Sequence, residues 1–314
     1  MKNRFALPNQ VHGRPEHRLR QLARIHPGHP TDTRMISFDH ASLQKLFVPA
    51  TNSNGEDNGQ VTIIGGSSLF HGAPLLSLTT ASRFVDMVFF TSPEPSIGKI
   101  AEEIKSRLSA FIWVPSEEVE NYIAKSDAVL IGPGLMRFHS EKNRDSMENG
   151  HCDETCQKTK KITKDLLKSF SQKRWIIDAG SLQTMDPDWI PSHAILTPNQ
   201  KEYKILFGSN SPEKSAQKHN CIIVLKGRIT YVYSPTETIK ITGGNPGLTK
   251  GGTGDVQAGL TVALLAKNDA LLAATSAAFL VKAAGDDLAQ KVGVNFNADD
   301  LARQIPATLH RFIK

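Results

Sequence analysis

From Gln60 onward the chain alternates short, nearly unbroken apolar runs with longer stretches in which apolar residues recur every three or four positions. The runs QVTIIGG (60–66), DMVFFTSP (86–93), FIWVPS (111–116), DAVLIGPG (127–134), RWIIDAG (174–180), HAILTPN (193–199) and NCIIVLKG (220–227) close on turn-forming residues and predict buried strands. TYVYSP (230–235) and TIKITGG (238–244) read as a hairpin with Thr236-Glu237 near its turn. Helical spacing predicts helices over 73–85, 98–109, 255–267, 269–290 and 298–312. Strands apolar on both faces, separated by helices, imply an α/β fold: a mostly parallel central sheet with helices on both faces. Ligands of such folds bind beyond the carboxyl ends of the strands. Gly65-Gly66-Ser67, Gly132-Pro133-Gly134, Asp178, Thr197-Pro198-Asn199 and Lys226-Gly227 all fall there.

Two segments break the alternation. Residues 137–160 are polar and aperiodic, which predicts an insertion or loop. His139, His151, Cys152 and Cys156 lie in it, but no second Cys pair or His pair completes a zinc-finger spacing, so a solvated loop is expected. At the other end, residues 1–34 carry seven Lys/Arg against Glu16 and Asp32. They supply +5 of the formal +6, so the basicity belongs to an N-terminal arm and not to the body. The arm has Phe5 as its lone aromatic, which argues against nucleic acid as a partner. The expected organisation is a basic, poorly ordered extension over 1–40 and a single catalytic domain over 41–314. The arm lacks an apolar signal core, the longest apolar stretch (Ala270 to Val281) is too short for a bilayer, and three cysteines argue against a disulfide framework. A cytoplasmic, reducing location without membrane contact is the expectation.

The densest chemistry is NPGLTKGGTGDVQAGL (245–260), glycine-rich and running into a helical pattern. It lacks the Gly-x4-Gly-Lys-Ser/Thr of a P-loop, and Gln257 occupies the third position of a Gly-x-Gly-x-x-Gly fingerprint. What remains is a glycine turn whose amides face a helix start, a natural phosphate site formed by Gly251, Gly252, Thr253 and Gly254. Asp255 then reads either as a first-turn acid favoured by the helix dipole or as a general base beside the phosphate.

GNPGLTKGGTGDVQAGL (244–260) resembles the GNPGLATGGTGDVLAG signature of the ADP/ATP-dependent NAD(P)H-hydrate dehydratases of the ribokinase-like superfamily. TIIGGSSLFHGAPLLS (62–77), IGPGL (131–135), WIIDAGSL (175–182), ILTPNQKEY (195–203) and IIVLKGRITYV (222–232) resemble further motifs of that family, in order, over about 42–312. The resemblance implies a ribokinase-like fold and nucleotide-dependent dehydration of hydrated NADH and NADPH (NADHX and NADPHX): the ring hydroxyl is phosphorylated and phosphate then leaves. It further implies Asp255 as base, and Lys226, Gly227, Arg228, Ile229 and Thr230 around ATP or ADP. Ala73, Gly134, Asn199, Gln200, Lys201, Glu202, Tyr203, Lys204 and Ile205 would line the hydrate pocket, with Asp255. Mg2+ would accompany the nucleotide, without assignable protein ligands. A separate epimerase would serve the same repair, and a homo-oligomer fits such enzymes.

The chain departs from the family pattern at Gly180, where an Asp is usual, at Met136, where glycine is usual, in NGEDNG (54–59), and at Asn199, where many members carry His. Read without the resemblance, Gly65-Gly66 and Gly132-Pro133-Gly134 are equally strand-exit turns, Lys226 a surface lysine and Glu202 a helix-start acid. Two other functions stay open. A small-alcohol, vitamin-precursor kinase would use the same Gly-x-Gly-Asp apparatus, though GAP (72–74), GPGL and TPNxxE point to the dehydratases. A non-catalytic nucleotide binder would have less need of the intact GGTGD.

Overall fold

The computed structural model describes residues 34–137, 152 and 154–314. Its first half runs β1 (Arg34–Ser37), β2 (Gln60–Ile64), α1 (Gly72–Ala81), β3 (Met87–Thr91), α2 (Ser96–Ile104), β4 (Ile112–Trp113), α3 (Val119–Lys125) and β5 (Ala128–Ile131). The second half runs α4 (Glu154–Ser169), β6 (Arg174–Ile177), α5 (Ala179–Thr184), β7 (Ile195–Leu196), α6 (Gln200–Phe207), α7 (Pro212–Lys218), β8 (Ile222–Leu225), β9 (Thr230–Tyr233), β10 (Glu237–Ile241), α8 (Thr253–Lys267), α9 (Ala270–Val292) and α10 (Ala298–Ile313). The strands join one sheet in the order β1-β10-β9-β8-β7-β6-β5-β2-β3-β4. Pairing is parallel except where the predicted hairpin, β9–β10, pairs with itself and with β8.

The period of two along a strand explains why helices cover both faces. In β5, Ala128 and Leu130 join one core with α1, α8, α9 and α10, while Val129 and Ile131 join another with α3 to α7. β6 divides the same way, Ile176 to the first core and Trp175 and Ile177 to the second. α1 and α8 cross closely, because a Cβ at Gly259 would stand 2.4 Å from the Ser77 carbonyl oxygen.

Two boundaries differ from expectation. The body starts at residue 34, not 41: β1 pairs in parallel with β10, and Ile36 and Phe38 pack on the core. A four-residue run ending a basic arm carries too little pattern to announce itself. The rest of the expected extension, residues 1–33, lies outside the described residues. Within the expected loop over 137–160, residues 154–160 are the first two turns of α4. Its inward positions there are Cys156, Thr159 and Thr163, too weakly apolar to show a helical period. Cys152 and Cys156 form a disulfide, against expectation, with Cα atoms 5.3 Å apart. Cys221 is buried with its thiol pushed up to about 12 by desolvation. His139 and His151 lie outside the described residues. Among the described residues no helix is long and apolar enough to cross a membrane.

Candidate active site

Three strand ends and one helix start converge. Directly after β6 comes Asp178, which is almost fully buried, 2% exposed. Ala179, just after it, takes φ +46, a left-handed conformation that costs a non-glycine residue free energy and marks a constrained turn. Directly after β8 comes Lys226, whose Nζ lies 3.0 Å from Asp178 Oδ1. Thr197, past the end of β7, donates to the same carboxylate at 2.8 Å. Asn199 and Lys226 continue the parallel pairing by one bridge, and the Lys226 amide donates to the Pro198 carbonyl.

Glu202 joins them from the first turn of α6. One carboxylate oxygen accepts from the Asn199 amide at 2.9 Å and the other from Gln183 Nε2 at 3.2 Å. The Asn199 side chain in turn accepts from the amides of Lys201 and Glu202, a reciprocal cap that fixes where the helix begins. Glu202 is therefore both the helix-start acid and a buried charge of the site.

The glycine-rich stretch forms the fourth wall. Gly252 has φ +91, and a Cβ there would strike Leu76 at 2.4 Å, so only glycine turns the chain into α8. Thr253 does not offer its hydroxyl outward; it donates to the Leu248 and Lys250 carbonyls, pinning the preceding turn. The amides of Gly251, Gly252 and Gly254 have no acceptor among the described residues. They are the unpaired donors that a helix start presents to an anion.

Asp255 follows. Burial raises its carboxyl from 3.8 to about 7; Asp178 and Glu202 add to the rise and Lys226 opposes it. Burial also raises Glu202, reinforced by Asp178 and opposed by Lys226, the Asn199 amide and Arg137. Desolvation lowers Lys226, but the attraction of Asp178, Glu202 and Asp255 outweighs it and leaves the ammonium above its ordinary value. Three carboxyls around one ammonium cannot all ionise cheaply in a desolvated site. Asp255 is thereby left with a proton affinity near neutrality.

Beside the cluster lies a cavity of about 810 Å3. Lys226, Gly227, Arg228 and Thr230 line it, as do Thr253, Gly254 and Asn199; Ile229 does not. Pro246, Leu248 and Val281 give it an apolar side, so a flat ring and a chain of phosphates both find matching walls. Gly134 and Ala73 sit together elsewhere at the strand ends. Gly134, at φ +72, brings its turn against the Phe70 carbonyl and Pro74, the neighbour of Ala73.

Of the α6 residues expected to line a substrate pocket, Gln200, Lys201, Lys204 and Ile205 face solvent. Tyr203 is committed to the core, its hydroxyl donating to the Asn210 carbonyl and bonded to Ser215 Oγ. A helix turns its residues through 100° each, and Asn199 and Glu202 are the members of this run that meet the charge cluster.

The NAD(P)H-hydrate dehydratase family matches residues 61–307. The chain belongs to that family. It is 32% identical over 304 residues to the bifunctional NAD(P)H-hydrate repair enzyme Nnr of Methanocaldococcus jannaschii, covering 89% of this chain and 57% of that one. It is 28% identical over 294 residues to the ADP-dependent (S)-NAD(P)H-hydrate dehydratase of Cenarchaeum symbiosum, covering 89% of this chain and 98% of that one. The chain thus spans between 51% and 57% of the length of several bifunctional relatives. A crystal structure of the ADP/ATP-dependent NAD(P)H-hydrate dehydratase of Bacillus subtilis, co-crystallized with ATP/Mg2+, superposes with a TM-score of 0.70 at 20% identity, over 90% of this chain and 99% of that one. The fold is the ribokinase-like one.

For a member of the dehydratase family, several cavity residues carry no motif that sequence reading could use. Lys282 of α9 is buried and donates to the carbonyls of Gly227, Arg228 and Gly243 at 3.0–3.2 Å. Four residues on, Asp286 accepts from the Gly244 amide and from Asn245 Nδ2. Together they fasten the two loops that wall the cavity. The i, i+4 spacing of a cation and an acid is legible in sequence; the carbonyls that Lys282 meets and the N–H donors that Asp286 accepts from, some 40 to 55 residues earlier, are not. Among the described residues no group of three His, Cys, Asp or Glu side chains is placed to hold a metal ion.

Proposed function

We propose that this chain is a nucleotide-dependent NAD(P)H-hydrate dehydratase acting on NADHX and NADPHX with ATP or ADP and Mg2+. The supporting observation is the junction at residues 252–255: unpaired glycine amides at a helix start, followed by a half-buried carboxyl with its proton affinity near neutrality. The nucleotide supplies a phosphoryl group, which converts a poor leaving group, hydroxide, into a good one. Gly251, Gly252 and Gly254 hold the transferred phosphate by their amides, and the dipole of α8 favours its charge. Asp255 accepts the proton of the attacking ring hydroxyl, a task suited to a base near the working pH. The ring then loses phosphate and a proton from the adjacent carbon, restoring the dihydropyridine. Lys226 balances the carboxyls, and its Nζ stands 3.3 Å from where a Cβ on Gly254 would lie, close enough to share the phosphate's charge. Mg2+, brought with the nucleotide, would neutralise part of the phosphate charge as the phosphoryl group transfers.

A separate epimerase acting in the same repair is part of this proposal. Incubation with NADHX, Mg2+ and either ATP or ADP, following the absorbance of restored NADH, tests the reading. Recovery with one nucleotide and its loss in Asp255→Asn are expected. Accumulation of a stable phosphorylated alcohol from another substrate, with no NADH recovered, would instead make the chain a small-alcohol kinase.

A further inference from the structure

Gln257 sits one turn into α8, at i+3 from Gly254 and i+4 from Thr253, so it shares their face of the helix. All three line the cavity, which continues past the phosphate cradle to Thr230 and Val281. Gln257 is 93% buried, as it is 7% exposed, yet its Nε2 has no hydrogen-bond partner among the described residues. A buried amide left unpaired destabilises the protein that carries it, and a side chain placed there for packing alone would do better as an apolar residue of the same size. Neighbouring polar groups of the cavity are already bonded: Lys282 by three carbonyls, Thr253 by two, Asn199 by the cap of α6.

Resting on the dehydratase reading, we propose that Gln257 is a specificity-determining residue that recognises the nucleoside half of the nucleotide. Its carboxamide takes the partner it lacks from a ribose hydroxyl or from a donor–acceptor edge of the base. A half-turn about the last side-chain bond exchanges donor and acceptor ends, so the group matches an edge offering either. Phosphates are not its target, because the amides at the start of α8 and Lys226 already serve them from the other end of the same face. The bound nucleotide thereby satisfies a group that the free protein leaves unpaired, and selection follows from which nucleoside can do so.

The test is calorimetric titration of wild type, Gln257→Leu and Gln257→Glu with ADP, 2′-deoxy-ADP, inosine diphosphate and pyrophosphate, together with melting of each protein alone. Gln257→Leu is expected to bind ADP roughly three- to tenfold more weakly, the range of one neutral hydrogen bond. Its affinity for pyrophosphate should be unchanged, and without ligand it should melt at or above the wild-type temperature. If the partner is the ribose, the wild-type preference for ADP over 2′-deoxy-ADP collapses in the variant; if it is the base edge, the preference over inosine diphosphate collapses. Unchanged ADP affinity, or an equal loss for ADP and pyrophosphate, would overturn the assignment. So would a lower melting temperature of the leucine variant without ligand. Wild type that binds no adenine nucleotide at all would strike the dehydratase reading itself, whereas wild type that binds ADP while Gln257→Leu behaves identically strikes the role of Gln257 alone.

Discussion

Asp255→Asn removes a charge while keeping the shape, and it separates what this residue does for catalysis from what it does to stability. The carboxyl rises from 3.8 to about 7 on folding, so between those values the folded chain binds a proton that the unfolded chain releases. Stability is therefore complete below the unfolded value and is lost as pH rises through the folded one. At 1.36 kcal/mol per tenfold change in proton affinity, the fully ionised group costs the folded state up to about 4 kcal/mol at pH 8. Roughly 1.7 kcal/mol of that is already present at pH 5, because the unfolded carboxyl is largely ionised there. The asparagine variant titrates nothing at this position. Its advantage over wild type should widen by about 2–3 kcal/mol between pH 5 and pH 8, or roughly 4–6 °C in melting temperature for a chain of this size. Calorimetry at matched scan rates, without nucleotide, over pH 5 to 8 measures the gap directly, while NADHX turnover should vanish at every pH. A gap that stays constant with pH, or widens toward acid, would refute the assignment of the neutral-range proton to Asp255. Retained turnover would refute its role as base.

Lys226→Met should leave Asp178 and Glu202 facing each other without their cation, lowering stability by about 3 kcal/mol in urea titrations. It should also move the acid limb of the pH–rate profile upward, since Lys226 is what holds the Asp255 carboxyl down. Gly180→Asp, which restores the residue usual in the family motif, should destabilise by roughly 2–3 kcal/mol, because a Cβ at 180 would stand 2.2 Å from the Leu135 carbonyl oxygen. Lys282→Met strips the cation from the carbonyls of Gly227, Arg228 and Gly243, and should raise KM for the nucleotide roughly tenfold while changing kcat less. Steady-state kinetics in ATP or ADP distinguishes that split.

Patterns that repeat within a few residues were legible in the sequence. The strand runs, the hairpin and the start of α8 after Gly252 are dictated locally, by side-chain period and by the one residue that tolerates φ +91. The charge cluster was legible only in part, because Asp178, Lys226, Glu202 and Asp255 come from four separate elements. Each alone has an ordinary reading, and what makes them a site is the order β8-β7-β6, which sets three strand ends side by side. Helix α6 shows what a motif leaves out: it names contiguous residues, and the helix turns Lys201, Lys204 and Ile205 to solvent and Tyr203 to the core. Gly180 illustrates how the same topology reinterprets a departure. As a sequence it is a missing carboxylate; in the fold its amide donates to the Gly132 carbonyl, and its bare Cα lets the Leu135 backbone close over the end of β6. The substitution is coupled to a local backbone approach and leaves the proton-exchanging group, Asp255, with Asp178, Glu202 and Lys226 all in place around it. Under the proposed mechanism the phosphate step does not call on position 180, and Gly180→Asp should lose stability before it gains anything for catalysis.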